Sequence, residues 1–333
     1  MRIAGPVEPM LAATVDRIPV GEMAFEPKWD GFRVQVWVGP DGRVELYSRA
    51  LARLTALFPE TVAAVGRQVP AGTVLDGELV HWAPTGRLDF EVLQQRLRGG
   101  AGRAAEQARE RPVHVVVFDV LETAAEGDVR GLPLEQRRRL LEELFADAPP
   151  TGLAVLTPQT ADRGEAELWL EVLTSQGIEG LVIKPLGGAY LPGRRRWFKL
   201  KRRWTVLAIA GGFLGPFDAP AGLVIGRVFP DGRLRITGRT TAPAAGLRTE
   251  LAAELVARYP APPEHPWPER LAPNWHSEQP EPILYHRIRP DLVVEVSVDV
   301  ATERGQRWRH VARLLDVRGD LDPLDVPHGL DLE

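Results

Sequence analysis

The chain has 333 residues, 44% of them hydrophobic, a net charge of −4 and no cysteine. That length buries a sizeable core and suits two domains, and the lack of cysteine excludes disulfides and thiolate zinc sites. No apolar run reaches the roughly 18 residues of a membrane span, and the N-terminus lacks the apolar stretch of a secretory signal, so the expectation is a cytoplasmic protein without membrane contact.

Along the chain, the first dense charge cluster is Glu26-Pro27-Lys28-Trp29-Asp30-Gly31-Phe32-Arg33. Of the 41 Lys and Arg residues only four are lysine: Lys28, Lys184, Lys199 and Lys201. Arginine keeps its proton at any working pH, whereas a lysine can lose it and become a nucleophile. Lys28 is therefore the first candidate for covalent chemistry, set against the plainer reading of an ion pair with Glu26 or Asp30. Gly31 admits a tight turn or a close approach of nucleotide and backbone.

Residues 34–48 predict a hairpin: Val34, Val36 and Val38 alternate, 39–42 turn, and Val44 and Leu46 return, with Ser48 and Arg49 at its end. Residues 74–80 predict a buried strand with Asp76 and Glu78 on one face and Gly77 and Leu79 on the other. Asp89 is a candidate N-cap for a helix through Leu97, ended by Gly99 and Gly100. A central strand is expected at 113–120, helices from Pro133 to about Phe145 and at 165–174, and a buried strand at 181–183.

Next comes a basic run, Arg194, Arg195, Arg196, Lys199, Lys201, Arg202 and Arg203, with no acid among them. It reads either as a solvated strand or as a stripe for phosphates. Lys199 and Lys201, two apart on a strand, point to one side. From about Thr205 the pattern changes to short strands at 206–213, 222–229 and 233–238, a helix at 246–258, a Pro-rich surface loop over 260–290 and a strand at 292–298. The boundary falls between 1–203 and 204–333.

The pattern Glu-x-Lys-x-Asp-Gly-x-Arg resembles the nucleotidyltransferase signature of ATP-dependent DNA ligases and mRNA-capping enzymes. Ser48-Arg49, Asp76-Gly77-Glu78, Val117-Phe118-Asp119, Glu179-Gly180-Leu181-Val182-Ile183-Lys184 and Lys199-Leu200-Lys201 follow in the family's order. Over its whole length the chain is similar to the compact bacterial C-type ATP-dependent DNA ligases. It departs from them where Ala50-Leu51 replaces Asn-Gly, and where Leu321 rather than a lysine follows Arg318-Gly319-Asp320. The resemblance implies an α+β protein: an ATP-grasp-like adenylation (nucleotidyltransferase) domain over 1–203, then an OB-fold β-barrel over 204–333.

The chemistry it implies is transfer of AMP from ATP to Lys28, with Mg²⁺ or Mn²⁺, then to the 5′-phosphate of nicked double-stranded DNA, and its displacement by the 3′-hydroxyl. DNA repair is the implied setting, for a monomer associated with the nucleoid. Glu26 would lie at the adenine edge. Phe118 would stack on the base, with a core phenylalanine as the equal alternative. Arg33 and Arg49 would contact ribose and phosphate. Glu78 would accept the ribose hydroxyl or help place the metal, and Glu179 would face the metal. Lys199 and Lys201 would meet the triphosphate, and Arg318 would orient pyrophosphate. Lys184 would pair with a carboxylate without a catalytic step. An RNA ligase, a capping-type enzyme and a non-catalytic nucleic-acid-binding relative are the alternatives.

Overall fold

A computed structural model describes residues 3–149, 152–271, 282–299, 302–303 and 305–330. The chain separates into two compact units, Met1–Lys201 and Arg202–Glu333.

In the first unit, strands β1 (Leu11–Val15), β2 (Met23–Pro27), β9 (Gly180–Pro185) and β10 (Arg195–Lys201) form a sheet in the order β1-β10-β9-β2. A second sheet runs β4-β3-β5-β6-β7, from β3 (Phe32–Val38), β4 (Val44–Ser48), β5 (Thr73–Val80), β6 (His114–Thr123) and β7 (Gly127–Asp128); β8 (Ala154–Leu156) lies parallel to β6. The period-2 alternation of side chains sorts each sheet into two faces. Val34, Val36, Leu46, Leu75, Leu79, Val115 and Val117 form a buried core with Val65 of α1 (Pro59–Gln68), Leu93 of α2 (Phe90–Glu110) and Leu141 of α3 (Leu134–Leu144). On the other sheet, Phe25, Leu181, Ile183, Phe198 and Leu200 pack on Ala166 and Trp169 of α4 (Arg163–Val172). The two remaining faces share a third cluster, with Trp37, Val74, Phe118 and Leu121 from the larger sheet, Trp197 from β10, and Met10 and Tyr190.

Several local features depart from the sequence expectation. The helix after Asp89 breaks at Gly100 (φ +64°, ψ −177°), as expected from the glycine pair, but a further helical segment follows it to Glu110. Asp162 caps α4 by accepting from Glu165 N at 2.9 Å, so that helix begins at Arg163. After β4 the turn is closed by Leu51 N donating to Ser48 O (2.8 Å) and by Ala52 N donating to Ser48 Oγ (3.1 Å). Leu51 sits in that turn at φ +62°, a left-handed conformation that costs a side chain with a Cβ about 1–2 kcal/mol.

Asp119 of the Val-Phe-Asp stretch has a structural role. Its carboxylate receives Arg137 Nε and Nη2 at 2.8 and 2.9 Å, and both side chains are fully buried. Arg137 Nη1 donates to the carbonyls of Leu132 (2.5 Å) and Gly188 (2.9 Å), so the ion pair is hydrogen-bonded on every side.

The second unit is built on a five-stranded sheet, β13-β12-β11-β14-β15, from β11 (Arg203–Leu214), β12 (Gly222–Val228), β13 (Leu234–Arg239), β14 (His286–Asp299) and β15 (Arg313–Val317). Past the end of β13, Thr240 bridges Ala312, with Thr241 N donating to Ala312 O and Ala312 N to Arg239 O, each 2.8 Å. That bridge curls the outer strands together into an OB-type barrel. Leu251 and Leu255 of α5 (Arg248–Arg258) close its apolar interior. The expected strand at 292–298 is longer, starting at His286, so 286–290 is strand and not loop. Residues 272–281 of the Pro-rich stretch lie outside the described residues. Within the rest, Trp267 and Leu271 are buried against Val224.

Asp119→Asn leaves the Arg137 cation buried without its counter-charge and is expected to cost about 3–5 kcal/mol of unfolding free energy in urea titrations. Leu51→Gly relieves the left-handed residue against glycine's extra chain entropy, and the expected gain in the same measurement is about 0.5–1 kcal/mol.

Candidate active site

The pairing of β2 with β9 places the principal charged groups. The antiparallel register sets Glu26 opposite Val182 and Pro27 opposite Leu181. The pairing then runs past the strand ends: Lys28 N donates to Gly180 O (2.8 Å) and Glu179 N donates to Lys28 O (3.2 Å). Only glycine fits at 180, because a Cβ there would lie 2.1 Å from Leu200 O and φ is +152°. With the backbones clamped, Lys28 Nζ donates to Glu179 Oε2 in a short ion pair, and Lys201 Nζ lies 3.4 Å from the same oxygen. Burial pushes the Lys28 pKa down, but Glu179, then Glu78 and Asp30, outweigh it, so the net shift is upward. At rest Lys28 is an ammonium ion.

Glu26 is buried and held from two sides. Lys184 Nζ donates to its Oε1 at 2.9 Å and lies 2.8 Å from its Oε2. Gln159 Nε2 donates to Oε1 at 2.7 Å. Lys184 also donates to Phe118 O (2.9 Å) and lies over the rings of Trp197 and Phe118, 4.3 and 4.7 Å from their centroids. Burial lowers its pKa, opposed by Glu26 and Asp119. Lys184 is part of β9 itself, not of the segment after it.

Arg33 is gripped in bidentate fashion by Asp76, with both contacts at 2.6 Å. Tyr190 Oη donates to Asp76 Oδ2 (2.6 Å) and accepts from Met10 N (3.0 Å). The Arg33 guanidinium lies 4.5 Å from the Phe118 ring centroid, inside cation–π range. Burial and then Asp76 are the largest influences on Arg33, and the carboxylate keeps its pKa raised. Glu78 stands opposite Arg33 in the β3–β5 register. Burial, only partly offset by Arg33 and Lys28, pushes its carboxyl up to about 7. Gly31 serves backbone packing: a Cβ there would lie 2.0 Å from Leu79 O and 2.9 Å from Glu78 Cγ.

These groups line a cavity of about 230 Å³ between the two sheets of the first unit. Glu26, Lys28, Arg33, Arg49, Glu78, Phe118 and Lys199 all face it, as do Val182, Lys184, Trp29, Trp197 and Arg195. Glu179 reaches it through Lys28. Lys201 shares the face of Lys199 and joins through Glu179. Lys199 has its pKa lowered by burial and by the cations Lys28, Lys201 and Arg195. Arg318 belongs to the second unit, where Asp320 receives its Nε and Nη2 at 2.8 and 2.7 Å and Glu295 lies 3.6 Å away. Leu321, beside it, packs on the Ile209, Val293 and Val326 cluster. Sequence reading missed Gln159, Tyr190 and the grip of Asp76 on Arg33.

Two carboxylates, Glu179 and Glu78, flank the Lys28 amine. Among the described residues no group of three or more His, Cys, Asp or Glu side chains is placed to hold a metal ion. Hard oxygens in that small number suit a Mg²⁺ that arrives with substrate phosphates and keeps several waters. Because the folded pKa of Glu78 exceeds the ordinary carboxylate value, its protonated form contributes stability at low pH that is lost as pH rises through about 7. Glu78→Gln cannot ionise, so its melting temperature relative to the parent is expected to rise between pH 5 and pH 8. Parallel thermal melts at the two pH values check this.

A model of the ATP dependent DNA ligase domain matches residues 8–201. DNA ligase C2 of Mycolicibacterium smegmatis is 36% identical over 95% of this chain and 92% of its own length. DNA ligase C of Mycobacterium tuberculosis is 33% identical over 96% of this chain and 91% of its own. Among solved structures, mycobacterial DNA ligase D complexed with ATP and MES superposes with a TM-score of 0.51 at 27% identity, covering 97% of this chain and 98% of that one. With its clamped lysine between two sheets and an OB barrel behind them in sequence, the chain belongs to the ATP-dependent DNA ligase family.

Proposed function

We propose that this ATP-dependent DNA ligase seals nicks through a lysyl-AMP formed on Lys28. The supporting observation is that the Lys28 amine faces the cavity while its backbone is locked to Glu179 and Gly180. The Lys28 Nζ attacks the α-phosphorus of ATP, a P–N bond forms, the bond to pyrophosphate breaks, and the ammonium proton is lost. An oxygen of the 5′-phosphate at the nick then attacks the same phosphorus and frees Lys28. Finally the 3′-hydroxyl attacks the 5′-phosphate, joins the strands and releases AMP.

The residues divide the work. Glu26, an acceptor only when ionised, faces the 6-amino group of adenine. Phe118 and Val182 supply apolar walls for the base, and Arg33, held by Asp76, meets ribose and phosphate. Glu78 accepts a ribose hydroxyl or, with Glu179, would hold Mg²⁺ directly or through its waters, and the ion would supply positive charge beside the reacting phosphate. Lys199 and Arg195, with Lys201 and Arg49, meet the β- and γ-phosphates. Lys28 must shed its proton first. The Glu179 ion pair opposes that, and the neighbouring cations Lys199 and Lys201 favour it.

We read the enzyme as a cytoplasmic monomer acting in repair. Among the described residues no helix is long and apolar enough to cross a membrane. The named relatives are DNA ligases, which favours a nicked duplex over RNA ends or caps.

Incubation of the protein with ATP and Mg²⁺, followed by intact-mass measurement, should show one added AMP that is acid-labile and alkali-stable. Lys28→Ala should show none and should lose at least about a thousandfold of nick-sealing rate, as expected when a covalent nucleophile is removed. An added AMP retained by the alanine variant would move the nucleophile elsewhere.

A further inference from the structure

Gln159 carries no motif, and no role in the reaction has been given to it so far. Its position is nevertheless tightly built. Phe25 N donates to Thr160 O (2.8 Å) and Thr160 N to Phe25 O (3.0 Å), which binds this segment to β2 on one side. Thr157 N donates to Val117 O (2.9 Å) and Thr157 Oγ1 accepts from Trp29 Nε1 (2.9 Å), which ties it to β6 and to the residue after Lys28. Arg138 Nη1 donates to Thr157 O at 3.0 Å. The segment therefore bridges the two sheets at the Glu26 end of the cavity, and Gln159 projects from it onto Glu26 Oε1.

We infer that Gln159 is a positioning residue that sets nucleobase specificity. It rests on the reading that Glu26 meets the purine 6-amino group. A carboxylate has about four lone-pair directions. Lys184 takes one on each oxygen and Gln159 takes a second on Oε1. With Lys184 alone, the carboxylate would be free to pivot about the ammonium. The second donor, on a backbone fixed at Phe25, stops that rotation and leaves the remaining lone pair of Oε2 directed at the base. A fixed acceptor rewards a 6-amino donor and repels the 6-oxo acceptor of guanine or hypoxanthine, each of which would be left buried and unpaired. Adenine discrimination then depends on the orientation of Glu26, and Gln159 sets that orientation.

The test uses the full chain and compares kcat/KM for Lys28 nucleotidylation with ATP and with purine riboside triphosphate, which lacks the 6-amino group. Gln159→Met keeps the volume and removes the donor. The ATP preference should fall about tenfold, almost wholly through the ATP value, while the purine riboside rate stays near that of the parent and reports intact folding. Inosine triphosphate should gain relative to ATP. Glu26→Gln is run in parallel and should erase most of the preference. If Gln159→Met leaves the ratio unchanged while Glu26→Gln collapses it, Gln159 does not position the carboxylate and the inference fails alone. If Glu26→Gln also leaves the ratio unchanged, the base-recognition reading fails with it. Equal losses on both nucleotides in Gln159→Met would mark a purely structural residue and would also overturn the inference.

Discussion

The site depends on the antiparallel clamp between β2 and β9. Across these strands every cation that is drawn out of water meets a carboxylate: Lys28 with Glu179, and Lys184 with Glu26. Pairing of this kind is what allows charge into an interior where an isolated ion would cost several kcal/mol. The clamp also sets direction. Glu26, Val182 and Lys199 stand in one row across β2, β9 and β10, so Glu26 and Lys199 lie about 10 Å apart, two strand spacings. One end of the row is balanced in charge and flanked by aromatic rings. At the other, Lys199 and Arg195 sit among cations that depress the Lys199 pKa. A neutral, ring-lined end suits a base and a cationic end suits phosphates, so under the function proposed above the register would orient the nucleotide along the row.

Much of this was legible in the sequence. The alternation at 34–48 and 74–80 gave the strands and the correct faces, because a half-buried strand must segregate its side chains. Lys28 was legible from the scarcity of lysine and its charged neighbours, whereas Glu26, Glu78 and Lys199 joined it only through the resemblance of successive motifs to the ligase order. Gln159 and Tyr190 were not. Their partners stand 133 and 114 residues away, and nothing local marks a glutamine or tyrosine that acts through a contact of that range. The end of the helix after Asp89 was legible from Gly99-Gly100, where the backbone leaves the helical region; the second helical segment to Glu110 was not, because it is held by the burial of Ala104 and Gln107.

Two buried ion pairs in the first unit look alike in a list of contacts and differ in what they do. Asp119 and Arg137 are both fully buried, with the guanidinium satisfied by one carboxylate and two carbonyls. Any motion there exposes charge to an apolar surround, so the pair fixes β6 against α3 and takes no part in chemistry. Lys28 and Glu179 differ in exposure: the lysine side chain remains 20% accessible and its amine opens on the cavity, while the carboxylate is shared with Lys201. Glu179 would therefore keep a cationic partner if Lys28 left it, and the cost of releasing the proposed nucleophile is correspondingly reduced. The same argument separates Lys184 from Lys28. Lys184 is held by Glu26, by Phe118 O and by two aromatic faces, with 1% of its side chain accessible, so if it moved Glu26 would be left with the neutral donor Gln159 in place of a cation. Of the paired lysines in this site, the one whose carboxylate has a second cation at hand is the one proposed to react.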